Sequence, residues 1–254
     1  MPKAALLALV LLASPATAAD DIFGLYAAGD YEQAARAGEA AHTAPGLAIA
    51  ARAVLADEVL RDQPCMPCLK RAETLARQAI AIDPHHAFAQ VWLAVALGYQ
   101  ARLTGTVRAR LADAPGQSQR ALEAAVHDEP RNAYAVSALG GWNIEVVRGG
   151  GHYLARLLYG ATEEKALTLF DQAVGLAPAN VAVRYQIALS LAGYDADRFR
   201  GRIAAELRAS LAARPATAYE QRIQDRANEL LGLLNRGPRD AFENRVRKYQ
   251  GFPD

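Results

Sequence analysis

Apolar positions recur at steps of three and four along almost the whole chain, the period of a helix with one buried face. The same passage of helix, brief stop and new helix keeps returning: "AIAIDPHHAFAQVWLAVAL" from Ala79 to Leu97, "AAVHDEPRNAYAVSALGGW" from Ala124 to Trp142, and "QAVGLAPANVAVRYQIALSL" from Gln172 to Leu191. A looser copy, "SLAARPATAYEQRI", runs from Ser210 to Ile223. At each stop a proline stands where it cannot disrupt the preceding turns, and the next helix opens almost at once. Connections this short make consecutive helices antiparallel neighbours. The pattern predicts an all-α fold of about four or five stacked helix pairs. An extra closing helix is expected from about Asp240 to Tyr249, with Phe242 and Val246 on its apolar stripe.

The second helix of a pair carries small residues where helices approach closely. Ala72, Ala76 and Ala79 line one such face, and Ala166, Phe170 and Ala173 another. Two passages break the rhythm. "TGTVRARLADAPG" (Thr104 to Gly116) and "GGGHYLARLLYG" (Gly149 to Gly160) are expected as insertions between the helices of a pair. The glycine triplet follows no strand and precedes no Lys-Ser/Thr, so it is not a phosphate loop.

These motifs resemble tetratricopeptide repeats: small residues at the close contacts, a large one between them, and proline at the end. "GDYEQAARAGEAA" (Gly29 to Ala41) resembles the turn and second helix of a first repeat, with Gly29, Asp30, Tyr31 and Ala34 matching. The resemblance implies a right-handed superhelix of antiparallel helix pairs whose first helices line a concave face. More narrowly, "LGGWNIEVV" with "LYGATEEKALTLFDQAVGLAP" is similar to the regulator-of-microtubule-dynamics family and its bacterial exported relatives. The matching positions are Leu139, Gly140, Trp142, Glu145, Gly160, Ala166, Phe170, Ala173 and Pro178, while Gly141 and Asn143 depart from that family's residues beside the tryptophan. This likeness implies a helical adaptor scaffold and carries no chemistry with it.

Lys3, the apolar run Ala4 to Ala13 and the small residues of Pro15-Ala-Thr-Ala-Ala19 read as a secretory leader, residues 1–19, cut after Ala18 or Ala19. The remainder, 20–254, is expected to be one domain in the periplasm or outside the cell, with no integral membrane segment. An exported chain does not meet the cytoskeleton of its own cell, so microtubule binding does not transfer by name. Lys and Arg number 28 against 27 Asp and Glu, and no long basic run exists, so nucleic acid is a poor partner.

Cys65-Met-Pro-Cys68 holds both cysteines of the chain. In an exporting compartment they are expected to form a disulfide, and its place just before a helix gives it a mainly structural role. The alternative is a thiol-disulfide redox protein, since a helix N-terminus favours the thiolate. Two thiolates leave a zinc shell half empty, so neither a metal nor a cofactor is expected. His85 and His86 open a helix after Asp83-Pro84, and His127 and His152 lack a ligand partner at helical spacing. Ser137 and Ser190 lie in helices with nothing to activate them.

The helix beginning at Asn132 carries the more informative group. Tyr134, Ser137, Gly141, Glu145 and Arg148 share one side, with Asn143 close by. The same register brings Phe88, Val91, Val95 and Tyr99 to that side from the preceding pair, and Tyr185 and Leu189 from the following one. Phe88, Tyr99, Tyr134, Asn143, Glu145, Arg148 and Tyr185 are the candidate groove residues, and Trp142 is expected as a wedge between helices. The expected function is an interaction module that takes a peptide or envelope protein in its concave groove. A small-molecule pocket near Trp142 and Glu145 is the alternative. No nucleophile, base and orienting group occur together, so an enzyme is the weakest reading.

Overall fold

A computed structural model describes residues 15–61 and 63–253, and every regular element in them is helical. The chain runs through α1 (Pro15–Ala28) and α2 (Tyr31–Ala41), α3 (Ala44–Val59) and α4 (Met66–Ile82), then α5 (Ala87–Thr104), the short α6 (Thr106–Leu111) and α7 (Ala114–Asp128). It continues through α8 (Ala133–Tyr159) and α9 (Glu163–Leu176), α10 (Val181–Asp195) and α11 (Arg200–Ala212), and ends in α12 (Ala218–Arg236) and α13 (Arg239–Tyr249). Consecutive partners pack together: α1 with α2, α3 with α4, α5 with α7, α8 with α9, α10 with α11, and α12 with α13. That exceeds the expected four or five pairs. The closing helix is the second member of the last pair rather than an addition to it, and α1 supplies another. Most of the expected leader, including Lys3 and Ala4 to Ala13, lies outside the described residues, and α1 begins ahead of both expected cut sites.

Side-chain caps explain why the elements begin where they do. Thr43 Oγ1 accepts from Gly46 N–H, Thr162 Oγ1 from Lys165 N–H, and Asn180 Oδ1 from Val183 N–H. Asn132 Oδ1 accepts from both Tyr134 and Ala135 N–H at the head of α8. Each cap satisfies amides that have no partner inside the helix. Helices α3, α5 and α10 are apolar on nearly all sides, which fits an element packed between neighbours, whereas α2, α4 and α12 keep a polar outer face. The inner helices touch in succession, α1 to α3, α3 to α5, α5 to α8, α8 to α10 and α10 to α12. Helix α12 also touches α1, so the succession of contacts returns to its start.

The two passages expected as insertions are largely helical. Helix α8 continues through Gly149 and Gly150 and breaks only at Gly151, whose φ of 73° and ψ of 161° mark a kink before a second arm that ends at Tyr159. Glycine reaches that left-handed φ without a steric penalty, so the triplet redirects a helix instead of ending it. The other passage forms α6 and the first turn of α7. The small-residue faces behave as expected: Ala72, Ala76, Ala79, Ala166, Phe170 and Ala173 are fully buried. A Cβ on Gly140 would stand 2.7 Å from the Phe170 ring, so α8 and α9 approach as closely as they do because that position is bare. Among the described residues, no helix is long and apolar enough to cross a membrane.

Candidate functional site

The inner helices surround a cavity of about 650 Å³. Side chains from α1, α3, α5, α8 and α10 line it, joined by Tyr219 of α12 and by residues 250, 252 and 253 after α13. Both tryptophans of the chain, Trp92 and Trp142, face it. Trp142 is therefore a wall of the cavity as well as a wedge: its Nε1–H donates to Pro115 O at 3.1 Å and its ring meets Tyr159 edge-on. Among the described residues, five arginines border the space (Arg52, Arg102, Arg110, Arg148 and Arg247) against one carboxylate, Glu145. The field inside therefore favours negative charge.

Two polar clusters stand in this lining. In the first, the Arg52 guanidinium carbon lies 4.2 Å from the Tyr26 ring centre, 5.4 Å from Trp92, 5.6 Å from Phe23 and 5.9 Å from Tyr134. Burial drives the phenol pKa of Tyr26 and of Tyr134 upward, only partly offset by Arg52, so both hydroxyls stay protonated. In the second, Glu145 Oε2 accepts from Arg148 at 2.6 Å and stands 3.8 Å from Arg102. All three are part-buried, with side chains 20–26% exposed. Phe252 sits among Arg102, Arg148 and Arg247, with guanidinium carbons 5.7, 4.6 and 5.2 Å from its ring centre. The same tail is pinned by Gln250, whose buried Nε2 donates to Leu189 O.

Of the candidate groove residues, Tyr99, Tyr134, Glu145 and Arg148 come together on this lining, along with Val91, Val95 and Leu189 from the same register. Phe88, Asn143 and Tyr185 do not. Phe88 lies behind the wall, stacked on Trp92 and edge-on to Tyr134. Asn143 is buried: its Nδ2 donates to Leu139 O and its Oδ1 accepts from Thr162 N–H, which ties α8 to the start of α9. Tyr185 is wholly buried in the core with Ile187 and Leu191 and is not part of the lining. Sequence reasoning missed Arg52, Arg102 and the tail. Arg52 did leave a signal, as the one charge between Ala44 and Ala56 on an otherwise apolar helix.

Cys65 and Cys68 are joined as a disulfide across the first turn of α4, where Cys65 is also the N-cap and its Sγ accepts from Cys68 N–H. Their neighbour Glu58, which sequence reasoning missed, is 2% exposed; its Oε2 accepts from Cys65 N–H at 2.5 Å while Oε1 lies 3.3 Å from Arg61 Nε. One carboxylate oxygen and the two sulfurs lie within 4.8 Å of one another, the only such donor group among the described residues. His85 pairs with Asp128, which raises its pKa, and His86 caps α5. Neither approaches the cavity lining.

No protein-family model matches the chain, and no curated protein is significantly similar to it. What the structure defines is a class: an all-α protein of consecutive, contacting helix pairs around an aromatic, arginine-bordered cavity.

Proposed function

We propose that the protein binds a small molecule in the cavity beside Trp142 and Glu145. One observation carries this reading: a single space of about 650 Å³, walled by aromatic and aliphatic side chains, with α12 against α1 and the tail across it. Pockets for single small ligands have this size and this mixture of apolar wall and few polar groups. In this reading the pairs wind as a tetratricopeptide-like right-handed superhelix, and the protein works after export, in the periplasm or outside the cell. Because the only tryptophans line the cavity, their emission reports its filling. Protein isolated natively from the exporting compartment should carry a small-molecule adduct in native mass spectrometry, or should saturate with the neutral probe N-phenyl-1-naphthylamine at one per chain with tryptophan quenching. The absence of both an adduct and quenching would refute the proposal.

A second reading is favoured by Glu58. A buried carboxylate beside an oxidised Cys-x-x-Cys at a helix start can take up the proton released when an incoming thiol attacks, so the pair can oxidise a dithiol to a disulfide while becoming two thiols. A reduction potential below about −300 mV together with no insulin reduction would assign the pair a structural role.

A further inference from the structure

We propose that Arg52 anchors a carboxylate, so that the cavity's ligand is a small carboxylic acid with an apolar or aromatic body. The inference rests on the small-ligand reading and names the chemistry of that ligand.

Arg52 stands in the middle of α3, whose other positions from Ala44 to Ala56 carry no charge. Its side chain is part-buried and borders the cavity. The remaining arginines of the lining are provided for: Arg102 and Arg148 share Glu145, while Arg110 and Arg247 are exposed to water. Among the lining arginines, Arg52 alone is part-buried with no carboxylate at ion-pair distance in the described residues. Its Nε–H is buried and has no hydrogen-bond acceptor; the Arg148 Nε–H shares that condition, but Arg148 has Glu145 as its counter-charge. Glu220, which the Tyr134 hydroxyl contacts at 3.5 Å, already accepts from Ala216 N–H at 2.6 Å and makes no ion pair with Arg52.

Four aromatic rings surround the guanidinium, and their faces attract a cation without neutralising it. A buried charge in that condition is costly until a counter-ion arrives. The rings also hold the guanidinium in place, so little freedom is lost when an anion docks. Guanidinium presents parallel N–H donors that match the two oxygens of a carboxylate. Beyond it, Val91, Val95, Trp142 and Leu189 offer an apolar wall for the rest of the ligand. An acid should therefore be preferred to its neutral amide, and an amine of the same body should be rejected.

The test uses the whole protein and three probes of one shape, 4-phenylbutyrate, 4-phenylbutanamide and 4-phenylbutylamine, titrated at low salt against tryptophan emission. The acid should bind at least about tenfold more tightly than the amide, with the amine weakest. Arg52→Met should bind acid and amide alike, with the amide's affinity close to that of the unaltered protein. Equal affinity of the unaltered protein for acid and amide overturns the anchor while leaving the cavity reading intact. So does an acid preference that survives in Arg52→Met. Binding of none of the three overturns the cavity reading and the anchor with it. Should Arg52→Met fail to fold, as judged by its melting temperature, Arg52→Lys replaces it. A lysine keeps the charge but not the paired donors, so a reduced acid preference supports the anchor and an unchanged one counts against it.

Discussion

Glu145 holds two guanidinium groups side by side, and both sit in a half-sheltered wall. Glu145→Gln leaves Arg102 and Arg148 facing each other with no counter-charge. The expected cost is about 1–3 kcal/mol of stability, seen as a lower melting temperature. The same change removes a negative side chain from the cavity wall, so 4-phenylbutyrate should bind more tightly, not less. Asn143, two residues earlier, behaves differently because it touches no part of the cavity. Asn143→Ala strands Thr162 N–H at the head of α9 and should also cost about 1–3 kcal/mol, while probe affinity of the folded fraction stays constant. Measuring both quantities on both variants separates wall from support. The register along α8 placed Tyr134, Glu145 and Arg148 correctly on one side, because side-chain direction follows from helical spacing alone. It could not distinguish Asn143, whose side chain turns to the start of the neighbouring helix, where its amide accepts from Thr162 N–H while donating to Leu139 O of its own helix.

At the scale of elements, the contact between α8 and α9 offers a clean test. Gly140→Ala drives a methyl into the Phe170 ring, which is fully buried and cannot swing away. Overpacking of this kind should cost about 1–3 kcal/mol, and denaturant midpoints would measure it. The first turn of α9 is fastened by a second device. Burial alone would raise the pKa of Glu163, but hydrogen bonds from Arg198 and Tyr194 win and lower it from 4.5. A depressed carboxylate stabilises fully above its unfolded value and loses that contribution as pH falls through the lower folded value. The melting temperature of Glu163→Gln should thus trail the unaltered protein at pH 7 and converge with it near pH 3; a constant gap would count against the assignment. The starts of α5, α8 and α10 were legible because Pro84, Pro130 and Pro178 stop the helix before each, whereas the caps at Thr43, Thr162 and Asn180 emerge only in the structure. The length of α8 was not legible, because three consecutive glycines look the same in sequence whether one or all of them leave the helix. Only Gly151 does.

At the scale of the molecule, the ends of the chain determine what the middle can do. Arg226 of α12, itself buried, donates to Val59 O at the end of α3, a tie spanning 167 residues of sequence. Helix α12 meets α1, and the tail after α13 crosses to the α8 wall, where Phe252 rests among three arginines that also border the cavity. Nothing in a local pattern of apolar spacing encodes such long-range contact, which is why the meeting of α12 with α1 and α3 was not legible in the sequence. If the tail is a cover, loosening it should change how fast a ligand passes more than how tightly it is held. Phe252→Ala removes the ring that packs on Arg148 and Arg102 but leaves Arg52, Trp92 and Trp142 untouched. The dissociation rate of 4-phenylbutyrate, read by stopped-flow tryptophan emission, should rise several-fold, and the association rate should rise with it, so that Kd moves little. As a control, Phe88→Leu trims a ring that is not part of the cavity lining and should leave both rates alone. Rates unchanged in Phe252→Ala would mean that ligands enter elsewhere and that the tail is only part of the core.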